Sequence, residues 1–167
     1  VASALKVLPE NGTVVVMAGD APLLRAETIA ALRGAHGDAA VTVLTAQLED
    51  GAHYGRLERD AAGQPWRIVE AKEASAAQLA IGEINTGLYC FDIAWLRSVL
   101  PTLEPHAHKN EIYLTDVVER AASEGRCRVE IHRDFSEVQG INDRYELALA
   151  RQVLQKRVVE QHARNGV

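Results

Sequence analysis

The residues able to do chemistry in this chain stand at strand ends and in glycine-flanked turns. Asp20 closes the run TVVVMAGD and precedes Pro22. Its carboxylate thus falls just past a β-rich segment, and Pro22 ends ladder pairing and fixes how the chain leaves. Ligands of open α/β sheets collect outside the carboxyl ends of strands. Asp20 therefore suits a divalent cation or a phosphate-facing role; capping the following turn or helix is the other use of an aspartate there. Gly55 sits between Tyr54 and Arg56, where it either offers a ligand a bare N–H or bends the chain into a strand. Glu70 interrupts the apolar run IVEAKE, as a solvated side chain or as an acceptor for hydroxyls. Asn85 in EINTG marks either a turn or bulge before Gly87 or an amide that reads a sugar, since amides are disfavoured in strands. His106 and His108 have the spacing that chelates a metal from a strand, but no Cys or third His stands near, and a solvated loop is the other reading. GxSxG, HExxH, CxxC and GxxxxGKS are absent, so serine hydrolase, zincin, thioredoxin-type and P-loop readings gain no support.

The elements that must position these residues follow from composition. Thr13 to Met17 is a continuous β-branched and apolar run, as expected of a central strand buried on both faces. Ala26 to His36 has helical spacing with Glu27 in its first turn, where the dipole favours an acid. Ala39 to Leu48 reads as a buried strand. Gly55 to Arg59 and Trp66 to Ala71 form a hairpin around the Gly and Pro of DAAGQP. Ala74 to Leu79 is a short helix with Ser75 as a cap. Glu83 to Phe91 is a strand, and Asp92 caps a helix ending at Pro101. Tyr113 to Ser123 is helical up to Gly125, and Arg126 to His132 is a strand. Asn142 then precedes a long helix, Arg144 to Arg164, with an apolar stripe at Leu147, Ala150, Leu154 and Val158. Strands alternating with helices predict an α/β class with a partly parallel sheet.

The totals set limits. The chain has 167 residues, 47% apolar and 25% charged, with a net charge of −5, an ordinary globular composition of about one domain. Its acidic balance argues against broad nucleic-acid binding. No apolar run approaches the roughly 20 residues needed to cross a bilayer. Cys90 and Cys127 read as reduced, small buried hydrophobes, with the cytoplasm as the expected compartment. VASALKVLPE begins without Met and reads as the last turns of a helix, so a fragment is expected.

Taken in order, GDAPLL, YGR, IVEAKEAS, EINTGLY, EIYLTD and VQGIND make the chain resemble a known family. It is similar to the uridyltransferase (UDP-N-acetylglucosamine pyrophosphorylase) domain of the bacterial bifunctional enzyme that also acetylates glucosamine 1-phosphate on a separate β-helix. The resemblance covers essentially the whole chain.

The resemblance implies a Rossmann-like nucleotidyltransferase fold with a mixed, mostly parallel sheet, lacking its first βα units. The sugar- and metal-binding part would span 1–142 and a C-terminal helical arm 143–167. It implies the formation of UDP-N-acetylglucosamine and pyrophosphate from UTP and N-acetylglucosamine 1-phosphate, for peptidoglycan and lipopolysaccharide precursors. Asp20 and Asn142 would be the catalytic pair and would ligate Mg²⁺. Ala18, Gly19 and Asp20 would line the nucleotide-sugar cleft. Gly55 would give its N–H, and Glu70 and Asn85 their side chains, to the N-acetylglucosamine moiety, with Tyr113 and Thr115 behind them. A homo-oligomer, a trimer in the full-length family, is expected, with neither nucleic acid nor membrane as partner. The family's glycine-rich phosphate loop and its uracil-reading Gln and Gly-Thr turn precede the segment that matches Val1, so the isolated chain is expected to be inactive. Another sugar-1-phosphate nucleotidyltransferase and a non-catalytic α/β binding module are the competing readings.

Overall fold

The computed structural model describes residues 1–105 and 112–166. The sequence motif His106/His108 and the residues of 106–111 lie outside the described residues. Along the chain run α1 (Ala2–Leu5), β1 (Thr13–Val16), α2 (Ala26–His36), β2 (Val41–Gln47), β3 (Arg56–Arg59), β4 (Pro65–Val69), α3 (Ala76–Leu79), β5 (Glu83–Asp92) and α4 (Ile93–Val99), which passes into a 3₁₀ turn, Leu100–Thr102. They are followed by α5 (Asp116–Ser123), β6 (Cys127–His132), α6 (Phe135–Val138) and α7 (Arg144–Arg164).

Local signals account for many of these boundaries. Ser75 accepts from the Gln78 N–H while Gln78 reaches back to the Ser75 N–H, a reciprocal capping box for α3. Asp92 caps α4 through the Trp95 N–H at 2.6 Å. Asp143 caps α7 through the Glu146 N–H at 2.8 Å.

The sheet is organised around β5, the ten-residue strand at its middle. The order is β4-β3-β5-β2-β6, and β1 also pairs with β5. β2 occupies one edge of β5 along its length. β3 and β1 share the other edge, β3 opposite Ile84 and β1 opposite Tyr89 to Asp92. Alternate residues of β2 serve two cores. Val41 and Val43 pack with Phe91, Leu96, Val117 and Val118 under α4 and α5. Leu44 and Ala46 pack with Leu32, Leu88, Cys90 and Val138 under α2 and α6. β3 is further tied to β5 by Arg59, whose Nε and Nη2 donate to the two Glu83 oxygens at 2.8 Å each.

The α/β class holds, and the expected majority of parallel pairings does not. Among the described residues only β2 and β6 pair in parallel; the other four pairings are antiparallel. The registers give the reason. β1, β2, β3 and β6 run in one direction, but β5 enters among them in the other, so most neighbours oppose one another. The expectation of a doubly buried central β1 is also corrected. β1 pairs only with β5 among the described residues, Val14, Val15 and Val16 are half-buried, and Met17 is 52% exposed. An apolar groove of about 400 Å³, lined by Leu5, Leu8, Val14, Val16 and Met17 among others, runs beside it. Tyr113 and Thr115 precede α5 instead of lying within it, because the helix starts at Asp116.

α7 has no buried residue over its 21 positions, and its expected stripe is exposed at Leu147, Leu154 and Val158. A core truncation and a stripe truncation should therefore differ sharply. Phe91→Ala is expected to lower the unfolding free energy by about 3–5 kcal/mol, and Leu154→Ala to change it by less than about 0.5 kcal/mol. Urea denaturation of both variants measures this; comparable losses would mean that the α7 stripe is covered.

Candidate functional site

The cleft begins with a defect in β5. Leu44 faces Leu88 and Thr45 faces Asn85, so Thr86 and Gly87 have no partner in β2. Such a bulge bends its strand and re-aims side chains. Gly87 takes a φ of +79°, which a side chain would strain. Thr86 closes the gap by donating its hydroxyl to the Leu44 carbonyl at 2.7 Å. On the opposite edge the bulge falls between the stretch paired with β3 and the stretch paired with β1. An open cavity of about 220 Å³ lies there, its wall including Ala18, Asp20, Gly55, Glu70, Asn85 and Asn142.

Each side chain has a defined seat. Asn85 accepts from the Gly87 N–H at 3.1 Å and donates to the Tyr89 hydroxyl at 2.7 Å, while its N–H donates to the Gly55 carbonyl at 2.9 Å. An amide has two donors and two acceptor sites, so among the described residues one of each on the Asn85 side chain is without a partner. The bulge reading of EINTG holds, and Asn85 also lines the cleft. Glu70 lies just past β4, where its Oε1 accepts from the Thr115 hydroxyl at 3.0 Å. A Cβ at Gly55 would sit 3.0 Å from Ile68 Cγ2 and 3.4 Å from the Val69 carbonyl, so a side chain there would press on β4.

Asp20 and Asn142 share this cleft. The Asp20 carbonyl accepts from the Ile141 N–H at 3.0 Å, and its carboxylate lies against Gly140, where a Cβ would be 3.2 Å from Oδ2. Asp20 caps no helix: the residue before α2 is Arg25. Asn142 turns its Nδ2 toward Glu146 Oε2 at 3.1 Å and His53 Nε2 at 3.4 Å, and Glu146 also accepts from the Asn142 N–H at 2.5 Å. Among the described residues the Asn142 amide oxygen has no hydrogen-bond partner.

Gly19 is exposed on the same loop and forms no part of the cavity wall; a Cβ there would meet nothing within 4 Å. Tyr113 and Thr115 line a neighbouring cavity of about 260 Å³, with Glu70 shared between the two.

Sequence reasoning passed over His53, Tyr54 and Gly140. The rings of His53 and Tyr54 stack at 4.5 Å, and Tyr54 meets Phe135 edge-on at 5.5 Å. The Tyr54 hydroxyl accepts from the Gly140 N–H at 3.3 Å, and burial raises its pKa, so it remains a phenol. This contact joins the 51–55 loop to the turn carrying Asn142. The YGR and VQGIND motifs contain both partners, but nothing local in the sequence pairs them. Glu137 was also unforeseen. Buried in α6, it accepts from the Arg25 N–H at 2.9 Å and from the Thr28 hydroxyl. It thus supplies from outside the N-terminal cap that Arg25 does not provide to α2.

Among the described residues no group of three or more His, Cys, Asp or Glu is placed to hold a metal. A carboxylate with a neutral amide oxygen is the kind of hard oxygen donor set that suits Mg²⁺. Burial raises Cys90 to about 11 and Cys127 to about 12, so neither is an activated nucleophile. No helix among the described residues is long and apolar enough to cross a membrane.

No protein-family model matches the chain. Curated relatives do. The chain is 46% identical over 159 residues to bifunctional protein GlmU of Corynebacterium diphtheriae, covering 93% of this chain and 33% of the relative. It is 45% identical over 166 residues to bifunctional protein GlmU of Mycobacterium sp. strain KMS, with 98% and 33% covered. For bifunctional protein GlmU of Enterococcus faecalis the figures are 42% over 161 residues, 95% and 35%. The chain therefore spans about a third of the length of these relatives, and the resemblance carried by its motifs holds over nearly all of it.

The Tyr54–Gly140 contact makes a local prediction. Tyr54→Phe removes the acceptor, and a hydrogen bond of about 1 kcal/mol corresponds to roughly fivefold in local opening. Amide exchange at Gly140 should accelerate by about that factor while β2 and β5 keep their protection; an unchanged Gly140 rate would show that the two loops are held independently.

Proposed function

We propose, for a chain similar over nearly its whole length to a third of bifunctional protein GlmU, that the β5 cleft is the sugar- and metal-binding part of a UDP-N-acetylglucosamine pyrophosphorylase site. The observation carrying this reading is the convergence of Asp20, Gly55, Glu70, Asn85 and Asn142 on one cavity from five separate stretches of chain. The reaction would join UTP and N-acetylglucosamine 1-phosphate to UDP-N-acetylglucosamine and release pyrophosphate, supplying peptidoglycan and lipopolysaccharide precursors. It would run in the cytoplasm, where the free thiols of Cys90 and Cys127 stay reduced.

The chemistry suits such a site. A sugar 1-phosphate oxygen attacks the α-phosphorus of UTP in line, and pyrophosphate leaves. The attacking phosphate is already ionised, so no strong general base is needed, and catalysis rests on positioning and charge neutralisation. Bound Mg²⁺ would neutralise phosphate charge. Asp20 would hold it through a carboxylate oxygen and Asn142 through its amide oxygen. Glu70 accepts from sugar hydroxyls while Thr115 keeps its carboxylate oriented. Asn85 presents its remaining N–H and oxygen to the sugar, locked in place by Tyr89 and Gly87. Gly55 offers a main-chain N–H where a side chain would block approach. Selectivity follows because a sugar lacking one of these groups leaves a buried partner unpaired.

Titration calorimetry with UDP-N-acetylglucosamine and Mg²⁺ tests this. Binding is expected, with UDP-glucose weaker. Asn85→Ala and Glu70→Ala should each weaken it by about 10- to 100-fold, and Asp20→Asn should abolish the dependence on Mg²⁺. Equal affinity for the two nucleotide sugars would favour another nucleotidyltransferase, and unchanged binding in the variants would favour a module whose ligand sits elsewhere.

A further inference from the structure

The most deeply buried large polar side chain lies beside the cleft and is not one of the groups assigned to it. Arg56 is 2% exposed, and a buried cation ordinarily requires an anionic partner. Among the described residues Arg56 has carbonyl partners instead. Its Nη1 donates to the Gly51 carbonyl at 3.1 Å and to the Tyr54 carbonyl, its Nη2 to the Ala52 carbonyl at 3.3 Å, and its Nε to the Leu79 carbonyl at 3.4 Å. Three of these four acceptors belong to a single turn. Gly51 must be a glycine for this arrangement, since a Cβ there would lie 2.4 Å from Arg56 Cζ. Ala52 takes a φ of +41°, a backbone that a residue with a side chain adopts only when its surroundings hold it.

The planarity of the peptide makes this more than a clasp. In a trans peptide the C=O of one residue and the N–H of the next point in opposite directions. A Tyr54 carbonyl turned toward Arg56 therefore turns the Gly55 N–H away from it. That N–H finds no acceptor among the described residues, while Gly55 lines the cleft. The Ala52 carbonyl likewise directs the His53 N–H outward, next to the ring that meets Asn142 at 3.4 Å.

We propose that Arg56 is the positioning residue of the cleft, its guanidinium gathering the carbonyls of the 51–54 turn so that the Gly55 N–H is presented to the ligand. The choice of ligand rests on the nucleotide-sugar reading above, whereas the orientation of the turn is a property of the free chain and is tested separately.

The experiment uses the whole 167-residue chain with two variants. Arg56→Lys keeps the charge but loses the planar fork that spans several carbonyls. Gly51→Ala keeps Arg56 and displaces its guanidinium. Hydrogen exchange without ligand is the first readout. Both variants should accelerate exchange across 51–55 and 140–142 by about tenfold, with β2 and β5 protected as in the parent. A uniform acceleration through β2 and β5, or none, would overturn the proposal. The second readout is titration with UDP-N-acetylglucosamine, for which each variant should raise Kd by about tenfold or more. Parent-like affinity in both variants would overturn it as well. If the parent itself binds no UDP-N-acetylglucosamine, the ligand assignment fails, and the exchange pattern alone decides for or against the role of Arg56.

Discussion

The two unpaired residues of β5 are the constraint from which the cleft follows. A strand of uniform register would have let β1 and β3 run beside β5 without a break. Thr86 and Gly87 lengthen β5 on one side only, and the opposite edge opens between the stretches paired with β3 and β1. Two side chains hold this defect: Thr86 satisfies the Leu44 carbonyl across the sheet, and Asn85 satisfies the Gly87 N–H. Since buried main-chain groups need partners, the side chains at 85 and 86 answer the need that the bulge creates. The same amide that stabilises the irregular backbone thereby faces the opening.

Around that defect, buried charge serves to shape loops. Arg56 gathers carbonyls, and Glu137 gathers donors from α2. His132 Nε2 lies 3.4 Å from Glu137 Oε2, an approach without hydrogen-bond geometry. Removing one partner of a buried charged group leaves the rest unsatisfied. Both groups are therefore expensive to lose, and both lie next to the segments that carry Asp20, Gly55 and Asn142. Tyr54 connects these segments through Gly140. The cleft wall is a chain of polar contacts laid over two apolar cores.

Much of this organisation was legible in the sequence, because it rests on local rules. The bounds of α2 follow from helical spacing, and the caps at Ser75 and Asp92 from residue type. The β3–β4 hairpin follows from its turn. The candidate residues Asp20, Gly55, Glu70 and Asn85 were visible as polar or small interruptions of apolar runs. What was hidden depends on partners distant in the chain. The run TVVV does not reveal how many neighbours β1 has, and its edge position emerges only from the register with β5. The burial of Arg56 could not be read in advance, because carbonyl acceptors leave no trace in residue type. The direction of β5 relative to β2 is likewise a tertiary outcome, which is why parallel pairing was overestimated.

α7 contributes no buried side chain, yet it bonds to the two loops that carry Asp20 and Asn142. Glu146, in its first turn, holds Asn142, and Arg157, some three turns later, donates to the Leu23 carbonyl at 2.7 Å, just beyond Asp20. It acts as a splint across the loops that carry Asp20 and Asn142. Loosening such a splint would let those two loops shift against each other while the folded interior, to which α7 adds no buried residue, stays intact.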